Sequence, residues 1–519
     1  MNLLTPIEQS TVQRLRFRRQ FVLAPRPLEK FADWQQRRVA GKWTIHAHPD
    51  LPLAQSRSGT TEVTLIGCCL NPDAPSQTDA EICQWLAEGT ETIEDLERKT
   101  RRLTGRWVVL FCNASGDFLM PDPCAMRLVQ YFEHHPDGPW CFTQPESVKD
   151  ILQLRINPEA ERELFSTPYY LNTVERWLPG SETHYESVKH LSPNHWLDLS
   201  TSRPARFWPR EKLVPVSEED GVVKAGALLR GGIEAAIKRF PLALPLTAGW
   251  DSRLLLAAAK PFAKDIYYYT LKYNSHRQDA CDLSIPARLL AKLGLPHRMI
   301  ECPAGMADGF ARIFHENVTL AAYAHGPIVY GLFREYPQDR VCLKGMCLEI
   351  ARCFLYKYDY PEHLDGRQLA VIACGAKRVN DYMIRHFAGW LAGAQPAATA
   401  AGYEVLDLFQ WEQKVSNLVC HVESSFDITY ETVALYNNRA LLETLLAVPA
   451  KSRQHPGYGF YRKLIGHLWP ETLSEPINPE SFSESFQSRI KTVKRDAKAT
   501  LRRFGLLATA KKLIRPKQP

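Results

Sequence analysis

The spacing of apolar and polar residues divides the chain into two parts that meet near Trp208. Before it, short alternating runs such as TEVTLIGCCL and GRWVVLFC are bounded by turn residues and predict antiparallel strands. Between them, DAEICQWLAE and TIEDLERKTRRL have the apolar spacing of helices. After Trp208, short apolar runs such as LALPL and DIYYYTL alternate with helical segments such as DSRLLLAAAK. Strands that alternate with helices predict an α/β fold with a doubly wound parallel sheet.

The last third of the chain has a mainly helical pattern, beginning near Tyr382. NNRALLETLLAVPAK predicts an amphipathic helix that ends at Pro449. AGAQPAATAAG, residues 392–402, indicates a loop between helices because small and turn-forming residues crowd there. We place the boundary between the two main parts at residues 205–215.

Composition places the chain among ordinary globular proteins, with 45% hydrophobic and 23% charged residues among 519. No apolar run reaches the roughly 18 residues of a membrane helix. The first residues, MNLLTPIEQSTVQRLRFRRQF, lack the order of a secretory signal, so we expect a cytoplasmic protein. The 13 cysteines show neither a CxxC pair nor zinc spacing, which predicts reduced thiols and no structural metal.

The net charge of +7 comes from the end of the chain, where residues 489–519 hold eleven Lys or Arg and one Asp. The rest of the chain is close to neutral, so we predict no nucleic-acid partner. Apolar residues such as Leu501 and Phe504 lie among the tail's charges. The tail, residues 481–519, is either an amphipathic helix that contacts an acidic membrane or a partner, or a solvated terminal helix.

A candidate phosphate site lies in LPLTAGWDSRLLLAAA, residues 244–259, where an apolar strand leads through a small-residue turn into a helix. In such a turn, backbone N–H groups and the helix N-terminus attract phosphate oxygens. Thr247 and Ser252 add hydroxyl donors, and Asp251 fits a Mg²⁺ ligand. The lysine of a Walker loop is missing. The alternative is a capped turn that binds nothing.

LTAGWDSR resembles the pyrophosphate-binding loop, S-G-G-x-D-S, of the asparagine synthetase-like family. Three more segments follow in family order: YYYTLKYNSHRQDACDLSIPARLLAKLGLPH, CLKGMCLEIARCFLY, and NRALLETLLAVPAKSR with YRKLIGHLWPE. This resemblance covers residues 219–476. In the first part, LTGRWVVLFCNASGDFLMPDPCAMRLVQY is similar to the family's glutaminase-type domain.

The resemblance implies an αββα sandwich of the Ntn type over residues 1–205 and an ATP-binding domain with a PP-loop over residues 215–480. The family's glutaminase uses an N-terminal cysteine as nucleophile. No cysteine precedes Cys68 here, so the first domain is expected to be degenerate and without glutaminase activity.

The resemblance also implies site residues. The nucleotide-binding set is Leu246, Thr247, Ala248, Gly249, Trp250, Asp251, Ser252, Arg253, Leu271, Lys344 and Gly345. Glu349 falls at the aspartate of the second motif and would share Mg²⁺ with Asp251. Met346 replaces that motif's glutamate, and Lys344 replaces its serine.

The family's closing lysine is absent, because Tyr458 stands at its position. Arg462 or Lys463 would supply the positive charge instead.

Together these features predict an ATP- and Mg²⁺-dependent ligase that forms an amide from a carboxylate and an amine. The carboxylate, small-molecule or peptide, becomes an acyl-adenylate as pyrophosphate leaves. One alternative is a nucleotide-binding pseudo-enzyme or scaffold in a biosynthetic cluster, which Met346 and Tyr458 favour. Another is the family-level assignment, glutamine-hydrolysing asparagine synthesis, which the missing nucleophile disfavours.

Overall fold

The computed structural model describes residues 9–176, 178–273, 280–356, 360–361 and 363–479. In this part of the chain the strands are β1 (Phe21–Ala24), β2 (Gln35–Val39), β3 (Trp43–Ala47), β4 (Leu53–Ser58), β5 (Thr61–Leu70), β6 (Thr104–Asn113), β7 (Gly116–Pro121), β8 (Gln130–Phe132), β9 (Cys141–Phe142), β10 (Val188–His190), β11 (His195–Asp198), β12 (Arg203–Arg206), β13 (Leu242–Pro245), β14 (Tyr267–Lys272), β15 (Arg298–Glu301), β16 (Val341–Leu343) and β17 (Thr432–Val433).

The α-helices are α1 (Gln9–Leu15), α2 (Asp79–Ala87), α3 (Ile93–Thr100), α4 (Pro158–Ala160), α5 (Pro168–Asn172), α6 (Glu218–Arg239), α7 (Trp250–Ala258), α8 (Cys281–Lys292), α9 (Asp308–Asn317), α10 (Gly326–Glu335), α11 (Gly366–Cys374), α12 (Asp381–Ala401), α13 (Val405–Phe409), α14 (Cys420–Ser424), α15 (Arg439–Ala447), α16 (Ala450–Arg453) and α17 (Gly459–Leu468). Segments Glu161–Phe165 and Gln410–Val419 are π-helical. The 3₁₀ helices include Glu29–Phe31, Leu320–His325, Leu348–Ala351 and Pro470–Leu473.

The first part of the chain forms two antiparallel sheets, ordered β10-β8-β9-β1-β3-β2 and β12-β11-β7-β6-β5-β4. Side chains alternate across β6, as the two-residue period of a strand requires. Val108 and Leu110 pack in the core between the sheets, together with Phe21 and Ile45. Val109 belongs instead to the cluster that includes the buried side of α2. The antiparallel sandwich and its helical cover agree with the predicted fold class.

The second part forms a parallel sheet in the order β15-β14-β13-β16-β17. The chain moves outward from β13 through α7 to β14 and through α8 to β15, then returns to β16 on the other side of β13. Leu244 of β13 packs in the cluster that contains α7, while Ala243 packs with α9 and α10 on the opposite face. The predicted doubly wound sheet is confirmed, and its order reverses between β13 and β16.

One predicted loop is wrong. Residues 392–402 do not connect two helices, because α12 continues to Ala401 and ends at Gly402 in the left-handed conformation. Ala394, Ala398 and Ala401 are buried at helical spacing along it. Alanine is the strongest helix former, and its burial outweighs the local cost of Pro396.

A buried ionic cluster joins the two parts of the chain. Arg106 of β6 binds both carboxylate oxygens of Asp427, at 2.8 and 3.1 Å. Arg127 binds Glu431 at 2.6 Å, and both arginines are fully buried. Glu431 directly precedes β17, so the cluster fixes the antiparallel sandwich against the edge of the parallel sheet.

The predicted tail, residues 481–519, lies outside the described residues. Among the residues that are described, no helix has both the length and the apolar character needed to cross a membrane.

Candidate nucleotide site

The candidate site lies where the strand order of the parallel sheet reverses. Ligands of such sheets bind outside the carboxyl ends of the strands at this switch point. The loop of residues 246–249 leaves the end of β13, and Lys344 and Gly345 follow the end of β16. A Cβ atom on Gly345 would lie 3.0 Å from both the backbone carbon and the Cβ of Asp251. The fold therefore brings together the two segments that the sequence assigned to one site.

Hydrogen bonds within the loop hold it against the first turn of α7. The hydroxyl group of Ser252 accepts the N–H of Thr247 at 3.2 Å, and the hydroxyl group of Thr247 accepts the N–H of Gly249 at 3.1 Å. Ala248 donates its N–H to Asp282 Oδ1, 2.8 Å away at the start of α8. The two hydroxyl groups thus hold the loop in its conformation. The carboxylate of Asp282 accepts the backbone N–H of Ala248, so this N–H is already bonded within the chain.

Asp251 and Glu349 face the same charged cluster with Arg352. Arg352 Nη2 lies 3.0 Å from Asp251 Oδ2, and the hydroxyl group of Tyr436 donates to the Asp251 carbonyl at 2.7 Å. Burial and then the negative charge of Asp251 raise the pKa of Glu349 to about 7, although Arg352 opposes them. Burial also raises the pKa of Asp251, again against Arg352. The negative charge of Asp251 therefore makes it costly for Glu349 to ionise as well.

The two carboxyl groups fit Mg²⁺ bound together with a polyphosphate. Asp251 Oδ1 is buried and has no hydrogen-bond partner among the described residues. No group of three or more His, Cys, Asp or Glu side chains in the described ranges could hold a metal alone. Mg²⁺ commonly takes one or two protein carboxylates and completes its octahedron with phosphate oxygens and water.

Arg462 reaches the site, but Lys463 does not. The guanidinium group of Arg462 lies 5.0 Å from the centre of the Trp250 ring, at the start of α7. Trp250 also contacts the ring of Tyr458, 5.1 Å away. Lys463 is exposed and pairs at 2.7 Å with Glu218 at the start of α6. Of the two predicted cations, only Arg462 contacts the phosphate loop segment.

Arg253 points away from the predicted phosphate position. It is fully buried and donates to the carbonyl groups of Thr472, Glu475 and Pro476, at 2.7 to 3.2 Å. These contacts tie α7 to the segment after α17. The proposed contact of Arg253 with phosphate stays a prediction that this arrangement does not favour.

The remaining predicted residues take mixed positions. Leu246 is buried, and its carbonyl group accepts the hydroxyl of Thr270 at 2.9 Å. Leu271 is half-buried at the end of β14, beside the apolar cluster that contains Ile300. Lys344 is half-buried, and its Nζ lies 3.5 Å from Glu423 Oε2. Leu271 and Lys344 thus border the crevice without joining the carboxyl pair.

Sequence reasoning did not single out Arg352, Asp282 or Tyr436. Asp282 stands in the quoted second segment, in the first turn of α8, and Arg352 stands three residues after Glu349. Helical spacing would have placed Arg352 beside Glu349, since residues three apart share a helix face. Tyr436 has no comparable signal, because it comes from a turn after β17 and reaches α7 only in the folded chain.

Comparisons with known proteins leave the family of this chain open. No family model matches it, and the search of curated proteins finds no match. Among solved structures, the chain is similar to the glutamine phosphoribosylpyrophosphate amidotransferase from B. subtilis complexed with ADP and GMP. The identity is 11% and the TM-score 0.25, over 56% of this chain and 61% of that one.

Two further structures give similar values. Glutamine-dependent NAD⁺ synthetase from Acinetobacter baumannii in complex with ADP matches at 15% identity and a TM-score of 0.17, over 44% of this chain and 41% of that one. The allosteric regulatory enzyme of purine biosynthesis matches at 12% identity and a TM-score of 0.24, over 58% and 72%. The α/β fold class rests on the sheets described above and not on these likenesses.

Proposed function

We propose that this protein is an ATP-dependent, AMP-forming ligase that joins a carboxylate to an amine, without glutaminase activity. One observation carries the proposal: a small-residue loop at a helix N-terminus and two carboxyl groups converge where the parallel sheet reverses. Gly345 permits this convergence by its close approach to Asp251. The resemblance to the asparagine synthetase-like family supports the same reading.

The proposed reaction has two steps. An oxygen of the carboxylate substrate attacks the α-phosphorus of ATP, and the bond to the β-phosphate breaks to release pyrophosphate. The amine then attacks the acyl carbon of the acyl-adenylate, so that AMP leaves and the amine loses a proton to solvent. Most of the rate enhancement in such a reaction comes from positioning and from stabilisation of charge.

The residues of this chain have separate parts in that reaction. The start of α7 and its loop would hold the phosphates by backbone N–H groups and the helix dipole. Asp251 and Glu349 would bind Mg²⁺, which neutralises phosphate charge when present. Arg462, above Trp250, would add positive charge at the edge of the site. The antiparallel sandwich would serve as a scaffold in the cytoplasm, fixed through Arg106 and Asp427.

A second candidate function is nucleotide binding without catalysis. The chain itself occupies two groups that a ligand would use, since Asp282 takes the N–H of Ala248 and Arg352 pairs with Asp251. Met346 also stands where the resemblance expects a glutamate. A pseudo-enzyme would keep such internal contacts and still bind a nucleotide.

ATP–pyrophosphate exchange separates the two candidates. Purified protein is incubated with Mg²⁺, ATP, labelled pyrophosphate and pooled carboxylic acids, and Asp251→Asn is compared with Arg385→Gln. Arg385 pairs with Glu159 and Glu163, outside the candidate site. A ligase exchanges label only with an acid present, and Asp251→Asn abolishes the exchange. Binding of ATP without exchange would favour the pseudo-enzyme. If the protein neither binds ATP nor exchanges pyrophosphate, both candidate functions are contradicted.

A further inference from the structure

Arg352 pairs with Asp251 in the candidate site, and the Nε of its guanidinium group has no hydrogen-bond partner among the described residues. Its side chain is 9% exposed, and only Nη2 contacts Asp251, at 3.0 Å. Nε itself is buried. Across the pair, Asp251 Oδ1 is likewise buried without a partner. A buried donor without a partner is costly, so the pair is incomplete as it stands.

The place of Arg352 matches the place where positive charge is missing. Tyr458 stands where the resemblance expects a lysine for the phosphates. The Tyr458 ring lies 5.1 Å from the Trp250 ring, and Trp250 directly precedes Asp251, the partner of Arg352. The guanidinium group and Tyr458 therefore both lie against the start of α7.

Other basic side chains near the loop are engaged elsewhere. The partners are Glu423 for Lys344, Glu218 for Lys463, the carbonyl groups of Thr472, Glu475 and Pro476 for Arg253, and the carbonyl groups of Val448 and Ala351 for Arg453. Arg462 remains as a rival, but it is exposed and lies over the Trp250 ring. At equal distance, a buried positive charge attracts a phosphate more strongly than an exposed one, because water screens it less.

We propose that Arg352 is the phosphate-binding cation of this site: it pairs with Asp251 in the absence of nucleotide and turns to the β- and γ-phosphate oxygens when MgATP binds. The exchange frees Asp251 for Mg²⁺ and lets the unused Nε bind an oxygen. The planar fork of arginine suits two phosphate oxygens at once, whereas a lysine at position 458 would offer a single point charge. This inference rests on the proposed nucleotide site, and it names the residue that distinguishes ATP from AMP.

The test measures affinities for MgATP, inorganic pyrophosphate and AMP by equilibrium dialysis. Arg352→Gln is expected to weaken MgATP and pyrophosphate by about 10- to 100-fold, and AMP by no more than about twofold. Arg352→Lys keeps a charge opposite Asp251 and therefore the fold, but it loses the fork. For this variant we expect an intermediate loss for MgATP and pyrophosphate.

Controls separate this inference from the proposed function. Arg462→Gln reports on the rival cation, and Arg385→Gln reports on a general loss of positive charge. If both Arg352 variants keep the wild-type ratio of ATP to AMP affinity, or if Arg462→Gln alone lowers it, the role of Arg352 is overturned while the nucleotide site stands. If the wild type binds neither ATP nor pyrophosphate, the nucleotide site itself fails, and Arg352 has no phosphate to bind.

Discussion

Arg253 shows that the place of a residue in a sequence motif does not fix the direction of its side chain. The resemblance implies that Arg253, which directly follows Asp251 and Ser252, belongs to the nucleotide-binding set. Successive residues of an α-helix are rotated by about 100°, so Asp251 and Arg253 point to nearly opposite sides of α7. Asp251 therefore faces the crevice, while Arg253 is buried against the carbonyl groups after α17. Helix geometry applied to the motif would have separated the two roles.

Replacing Arg253 by leucine tests that separation. Arg253→Leu removes three hydrogen bonds and leaves the carbonyl groups of the buried residues Thr472 and Glu475 without this donor. We expect the free energy of unfolding to fall by about 3 kcal/mol or more in urea titrations. A variant of unchanged stability but lost ATP binding would return Arg253 to the phosphate site.

Asp407 gives a prediction on pH. It is buried near Arg453, and burial raises its pKa to about 6 although Arg453 opposes the shift. The native state thus keeps a proton that the unfolded chain loses near pH 4, so stability falls as the pH rises from about 4 to 6. Asp407→Asn should remove this part of the decrease, on the order of 1–3 kcal/mol. Unfolding curves across that range that keep the same pH slope would refute the assignment.

At the scale of elements, the alternation of strands and helices was largely predictable. The apolar run before the loop and the helix after it became β13 and α7, because strand and helix have different apolar periods. The order of the strands cannot be read from periodicity, and only the folded chain shows it. Residues 392–401 are helical where the sequence predicts a loop, because small residues and proline also signal loops. Burial of one alanine face decides there, and burial belongs to the tertiary structure.

Gly345 tests whether close packing of two elements makes the site. A Cβ at this position meets backbone atoms of Asp251 and Ser252 at 3.0 and 3.1 Å, which a flexible side chain cannot relieve. We expect Gly345→Ala to displace the loop and to lower MgATP affinity about tenfold or more, with an unchanged far-UV CD spectrum. Gly389→Ala is the matched control, since nothing lies within 4 Å of its added Cβ. Equal affinity for the two variants would show that this contact does not shape the site.

At the scale of the whole molecule, the two parts of the chain are locked together by buried charges. Arg106 and Asp427 lie 321 positions apart in sequence, so no local pattern could have paired them. The sequence did predict two parts with different strand patterns. The last antiparallel strand, β12, ends at Arg206, and the boundary was placed at residues 205–215. It could not show that the parts share buried ion pairs. The assignment of the first part as an amidotransferase-like domain stays a prediction.

Removal of Arg106 should therefore destabilise the entire molecule. Arg106→Leu leaves Asp427 buried with its main partner gone, and loss of one partner of a buried pair costs about 3–5 kcal/mol. Calorimetry should show a lower melting temperature for both parts of the chain. Arg16→Gln, which breaks an exposed pair with Glu316, should barely change it. Equal melting curves for the two variants would mean that the buried cluster does not join the parts.

The most direct test of the nucleotide site is equilibrium dialysis of labelled ATP against the full chain, with and without Mg²⁺, for the wild type and Asp251→Asn. We predict that the wild type binds ATP, that omission of Mg²⁺ weakens binding, and that Asp251→Asn loses about tenfold or more of the affinity in Mg²⁺. Absence of ATP binding by the wild type, or binding that neither Mg²⁺ nor Asp251 affects, would contradict a nucleotide site at the switch point of the parallel sheet.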